Sequence, residues 1–174
     1  PDFQGHVITR LADLPQPVVA AVHGYCFTGG LELALAADII LAATSARFAD
    51  THANWALNPM WGLSQRLPRR VGRAKACEMM FTGRRYDADA AVAMGLANLC
   101  FPDDRFADDV EAFVREIAGK AWISHRVNKR VLRETEAMSL AQGLAHEHDT
   151  HPGLVPEAIA RLTDFSTPAP STQR

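Results

Sequence analysis

The chain of 174 residues carries a formal net charge of −2 and 48% hydrophobic residues, enough to bury one sizeable core. That balance gives no electrostatic footing for nucleic acid or an anionic membrane as partner, and no apolar run approaches the ~20 residues that a membrane-spanning helix needs. Cys26, Cys77 and Cys100 form no CxxC pair and stand among apolar neighbours, the pattern of reduced thiols in an intracellular, cytoplasmic protein. The opening Pro1-Asp2-Phe3-Gln4-Gly5 has neither the basic nor the apolar region of a signal peptide. It also lacks Met, and the first strong strand comes only at Val18, so part of the protein is expected upstream.

In chain order, two apolar runs, Val18–Val22 and Ile39–Thr44, flank a glycine-bearing turn and a helix over Gly29–Ala37. Strands with so little polar alternation suit a sheet covered on both faces. Ala46–Ala49 predicts a third strand running on into Asp50–Asn54. From Trp61 the pattern turns helical: Gly62–Val71, with Pro68 expected to interrupt it, then Arg73–Phe81 and Asp87–Met94, closed by Gly95. Leu96–Phe101 reads as a short strand ended by Pro102. Phe106, Val110, Phe113, Val114, Ile117 and Ala121 then form an amphipathic stripe. Helices over Ser124–Glu136, Ser139–His148 and Leu154–Phe165 follow, the last with Pro156 in its first turn, where proline is tolerated. Ser166–Arg174, rich in Ser, Thr and Pro, reads as a tail.

Glu32 is the oddity. It lies two residues past Gly30, directly after Gly29-Gly30-Leu31, and heads a run of Leu33, Ala34, Leu35, Ala36 and Ala37. A helix apolar all round belongs inside a protein, where a carboxylate is costly unless paired, hydrogen-bonded or used. The helix start offers unpaired backbone N–H groups and the positive end of its dipole. Glycines at 29 and 30 let a ligand approach those groups. A carbonyl that becomes an oxyanion would be held there beside a proton-transfer group; the plainer alternative is a carboxylate that only caps the helix.

These residues resemble the enoyl-CoA hydratase/isomerase (crotonase) superfamily. The likeness runs in order through Pro17-Val18-Val19-Ala20-Ala21-Val22-His23-Gly24, Thr28-Gly29-Gly30-Leu31-Glu32-Leu33-Ala34, Ala37-Asp38-Ile39-Ile40 and Ala46-Arg47-Phe48. It continues through Gln65-Arg66-Leu67-Pro68, Val71-Gly72, Thr82-Gly83 and Ala90 to Pro102. The resemblance implies an α/β fold, a crotonase-like spiral of ββα turns followed by a helical trimerisation region. Residues 1–102 would form the C-terminal portion of the α/β core, 103–165 the helical region and 166–174 the tail. It implies an acyl-CoA thioester as substrate, with coenzyme A arriving as part of it, no other cofactor and no metal. The partners implied are copies of the chain, as a homotrimer or homohexamer, in a lyase or isomerase of fatty acid metabolism.

Residue by residue, the resemblance puts one oxyanion N–H on Gly29 and the first hydratase carboxylate on Glu32. The second carboxylate falls on His52, where the family's Pro-Glu pair is Thr51-His52. Imidazole titrates near neutral pH and can replace a carboxylate in proton transfer. In an extended segment Asp50, His52 and Asn54 would share a face, so that Asp50 or Asn54 orients His52 or binds a water; the plainer alternative is that His52 is a polar residue at the start of a loop. The family's glycine-rich stretch is here Asn58-Pro59-Met60-Trp61-Gly62-Leu63, which implies a reshaped acyl pocket. Phe27, Gly30, Trp55, Pro59, Met60 and Trp61 are the candidates for its lining, with core packing the alternative for the aromatic ones. The loop supplying the family's other oxyanion N–H would lie before Pro1.

Two further clusters carry weaker readings. His146, His148 and His151 in HEHDTH invite a metal, but residues two apart on a helix point to nearly opposite sides, so a solvated helix end is expected. Arg66, Arg69, Arg70, Arg73 and Lys75 follow one helix and either meet CoA phosphates or form a solvated face. Hydration of a 2-enoyl thioester is the leading function. An isomerase, an acyl-CoA hydrolase or decarboxylase, or a catalytically degenerate subunit of the same superfamily are the alternatives.

Overall fold

The computed structural model describes the backbone of residues 3–166 and side chains through Thr163; the tail expected at 167–174 lies outside the described residues. The chain divides into two compact units, Pro1–Ile117 and Ala118–Arg174. The division falls later than 102–103 because the helix Phe106–Ala118 buries Phe106 in the first unit.

The first unit opens with helix α1 (Phe3–Ala12), which the sequence pattern did not reveal. Strand β1 (Val19–Val22) follows, then β2 (Tyr25–Phe27), helix α2 (Gly29–Ala34), and strands β3 (Ile39–Ala43) and β4 (Arg47–Ala49). Helices α3 (Leu63–Val71) and α4 (Arg73–Thr82), strand β5 (Tyr86–Asp87), helix α5 (Ala88–Ala93), strand β6 (Leu99–Phe101) and helix α6 (Phe106–Ala118) complete it. Two three-stranded sheets result, β1-β3-β6 and β2-β4-β5. Equivalent strands of successive turns pair in parallel, Val19 opposite Ile39, Leu41 opposite Leu99 and Cys26 opposite Phe48, while β5 joins β4 antiparallel. The ββα spiral expected from the resemblance is therefore present.

β2 occupies part of the stretch read as a turn. Three residues are too few for alternation to register, yet Cys26 is buried and Tyr25 exposed, as a strand requires. Burial pushes the Cys26 thiol up to about 12. Helix α2 stops at Ala34 rather than Ala37, and its last turn tightens, with Ala36 and Ala37 donating to the carbonyls of Leu33 and Ala34. Leu33 faces outward, so the helix is buried on most of its circumference and not all of it.

Arg70 closes that end. Its guanidinium donates to the carbonyls of Ala37 (2.9 Å), Asp38 (3.0 Å) and Leu96 (3.2 Å), and burial lowers its pKa. Pro68 does not interrupt α3. It forfeits one hydrogen bond, to the Ser64 carbonyl, and the helix ends three residues later, at Val71, so little is lost. Gly95, with φ 77°, ends α5 as its left-handed position demands. Phe48, Leu31, Ile40, Leu63, Leu67, Met79 and Leu96 fill the core between these elements.

The second unit contains helices α7 (Trp122–Thr135), α8 (Leu140–Thr150) and α9 (Pro156–Ser166). Ser139 and Gln142 form a reciprocal capping box at the start of α8, and Pro156 stands at the first position of α9. Among the described residues, no helix is long and apolar enough to cross a membrane.

Candidate active site

The site forms where α2 begins and β4 ends. Thr28 precedes α2 with φ 51° and ψ −113°, a conformation that a β-branched residue adopts only under constraint. The constraint is visible. Its N–H donates to the Ala49 carbonyl (3.0 Å), its carbonyl accepts from Glu32 N–H (2.9 Å), and its hydroxyl meets that of Thr51 at 2.5 Å. Gly29 is the first helical residue, so its N–H has no acceptor within the helix. A side chain at 29 would collide with the Trp61 indole, 2.6 Å from where its Cβ would stand, whereas the space beside Gly30 is open. Glycine at 29 is required by that close approach.

Glu32 is 2% exposed. Its Oε1 accepts the backbone N–H groups of Trp61 (2.7 Å) and Leu63 (3.2 Å). Its Oε2 faces His52 Nε2 at 3.8 Å. The carboxylate is thus held by one oxygen and presented by the other, which exceeds what a simple helix cap does.

His52 is 7% exposed and Asp50 1%. The expected extended run over Asp50–Asn54 is not formed; His52–Trp55 is a 3-10 turn. The reason lies in Asp50, whose Oδ1 accepts His52 N–H at 3.2 Å, an Asx turn that bends the chain after β4. The same oxygen meets His52 Nδ1 at 2.5 Å. Asp50 therefore does orient His52, through a turn and not through a shared strand face. Asn54 is not part of this line; its side chain lies against Gly83.

The other candidates separate. Trp61 and Met60 line a cleft of about 650 Å³ together with Phe3, His6, Thr9 and Arg66, and the contribution of α1 to it was not foreseen. Pro59 is half-buried in the loop leading to Trp61. Trp55 is largely exposed at the end of the 3-10 turn. Phe27 stacks on Tyr25 (ring centroids 5.1 Å apart) under the Arg85 guanidinium, on the face of β2 opposite buried Cys26. Neither Trp55 nor Phe27 reaches the cleft.

Four of the five basic residues are engaged within the protein. Arg66 donates to the Trp61 carbonyl, Arg69 to that of Gln65, Arg70 to the three carbonyls above, and Lys75 pairs with Glu78. His146 meets Glu134 at 2.7 Å, and no group of three or more metal-ligating side chains gathers among the described residues.

The sequence pattern of the enoyl-CoA hydratase/isomerase family matches residues 4–159. The carnitinyl-CoA dehydratase of Proteus mirabilis is 38% identical over 136 residues, 78% of this chain and 52% of that protein. That of Citrobacter koseri is 37% identical over the same shares. The crystal structure of enoyl-CoA hydratase from Bacillus anthracis superposes with a TM-score of 0.90 at 32% identity, covering 93% of this chain and 64% of that one. A Thermobifida fusca protein solved in complex with acetoacetyl-CoA gives a TM-score of 0.80 at 25% identity, over 92% and 60%. The chain spans about half the length of the curated relatives it matches. With the stacked ββα turns and the glycine-headed helix bearing Glu32 already in place, this extent of agreement means that the chain belongs to the enoyl-CoA hydratase/isomerase family.

Proposed function

We propose that the protein hydrates a 2-enoyl-CoA thioester, or dehydrates the corresponding 3-hydroxyacyl-CoA, with Glu32 and His52 as its proton-transfer pair. The observation that carries this reading is the buried approach of Glu32 Oε2 to His52 Nε2 at 3.8 Å. That gap is too long for a direct hydrogen bond but admits a water ~2.8 Å from each, seen at an angle of about 85° between them. Such a water adds its oxygen to Cβ of the bound enoyl group. The double-bond electrons shift toward the thioester, whose oxygen takes up negative charge against the Gly29 N–H. A proton delivered to Cα completes the addition. The proton removed from water equals the proton placed on carbon, so the pair returns to its starting state. Nothing in this sequence calls for a metal or redox cofactor, and coenzyme A enters only as part of the substrate. The dehydratase relatives and the acetoacetyl-CoA complex are consistent with thioester chemistry of this kind.

The wider setting follows from the same reading. The protein assembles as a homotrimer or a pair of trimers, which the exposed Leu132, Leu140, Leu144 and Leu162 of the C-terminal helices support. It works in the cytoplasm in fatty acid metabolism, in keeping with three free cysteines. In the intact protein Glu32→Gln retains an acceptor for Trp61 and Leu63 but removes the carboxylate. It should lower kcat for crotonyl-CoA hydration by about 10³-fold while leaving KM nearly unchanged. Turnover at the original rate would overturn the assignment.

A further inference from the structure

Asp50 is the most buried member of the line Asp50–His52–Glu32. One of its oxygens, Oδ1, receives both the backbone N–H and the Nδ1 of His52. An ionised carboxylate accepts hydrogen bonds and cannot donate them. The 2.5 Å contact therefore assigns the ring hydrogen to Nδ1 and leaves the Nε2 lone pair directed at the gap facing Glu32. The backbone bond from the same oxygen fixes where the ring starts, and the hydroxyl pair Thr28–Thr51 ties the residue between Asp50 and His52 to the start of α2.

From this geometry we infer that Asp50 is a positioning residue that makes His52 the proton acceptor for water and leaves delivery of the Cα proton to Glu32. The inference rests on the proposed use of Glu32 and His52 and divides their labour. Breaking the water O–H bond places its proton on Nε2 while oxygen bonds to Cβ, and Glu32, entering as the neutral acid, gives its proton to Cα. The resulting imidazolium then lies between two carboxylates, Asp50 behind it and Glu32 in front, and passing its proton across the gap to Glu32 Oε2 restores the pair. In dehydration the same imidazolium gives its proton to the departing hydroxyl. A purely structural Asp50 would need only the turn-forming oxygen, and an asparagine supplies that equally well.

Asp50→Asn separates the two roles. Its Oδ1 can keep the turn, but its amide can also donate to Nδ1 and so admit the opposite tautomer. In the intact protein the variant should keep its melting temperature within a few degrees and its KM within about twofold, while kcat falls about 10²- to 10⁴-fold. Nitrogen-15 spectra of the His52 ring, recorded without substrate at a pH where free imidazole is neutral, should show the Nδ1–H tautomer in the parent protein and loss of that single form in the variant. An Nε2–H tautomer in the parent, or full kcat in the variant, would overturn the inference. The ring spectra need no substrate, so they stand whether or not Glu32→Gln upholds hydration. If Asp50→Asn does not fold, the parent spectrum alone still decides the tautomer.

Discussion

The two units of the chain use apolar surface in opposite ways. In the first, Phe48, Leu31, Leu63, Leu67 and Met79 are fully buried, and the buried polar side chains among its described residues, Glu32, Asp50 and His52, are all hydrogen-bonded or paired. In the second, α7 and α8 bury no residue completely, and Leu140 remains 80% exposed. The sheets and their helices cover themselves, so they can hold a carboxylate and an imidazole at fixed separation. The C-terminal helices carry apolar faces that ask to be covered by another surface. Precision of placement belongs to the first unit, while the second carries the apolar surface on which the proposed association would draw.

Substitutions that remove bulk test this contrast most strongly. Phe48→Ala should destabilise the fold by about 3–5 kcal/mol, read from denaturant midpoints, because its ring is wholly buried in the cluster that includes Leu31, Leu63 and Met79. Leu132→Ser with Leu140→Ser should change the stability of the isolated chain by only about 0.5 kcal/mol per site, while shifting sedimentation toward smaller species. A loss of several kcal/mol from that pair, with no change in assembly, would mean that the second unit has a core of its own, and the contrast would fail.

The smallest effect concerns a surface cluster of the first unit. Hydrogen bonds from Lys75 (2.6 Å) and the Tyr86 hydroxyl (2.9 Å) hold the Glu78 carboxyl below the usual carboxylate range. A depressed folded pKa contributes stability that is complete above the unfolded value, about 4.3, and is lost as pH falls through the folded value. Glu78→Gln should therefore melt lower than the parent at neutral pH, with the two curves converging in acid. A gap that persists or widens in acid would contradict the pairing.

Much of the first unit was legible because β1, α2 and β3 are long enough for burial to leave a pattern from Pro17 to Ile40. β2 was not, being three residues squeezed between Gly24 and Thr28. Asp50–Asn54 was misread because Arg47-Phe48-Ala49 ends in a strand and the next step depends on a side chain bonding its own backbone, which periodicity does not record. The contact of Asp50 with His52 was still reachable, since residues two apart meet in either geometry. The pairing of Glu32 with His52 spans twenty positions and entered only through resemblance. The approach of Trp61 to Gly29 depends on how a loop folds back, and no local pattern encodes it. Phe27 and Trp55 lie apart from the cleft that Trp61 lines.

Glu32 Oε1 grips the backbone N–H groups of Trp61 and Leu63, not their side chains. The loop through Pro59 and Met60 is therefore pinned in its path but free in its chemistry. Side chains at 60 and 61 can be exchanged, and the acyl groups admitted can drift, without re-aiming the reagent. Moving the loop itself, in contrast, would loosen the carboxylate. A lineage built on this frame can change its diet far more easily than its reaction.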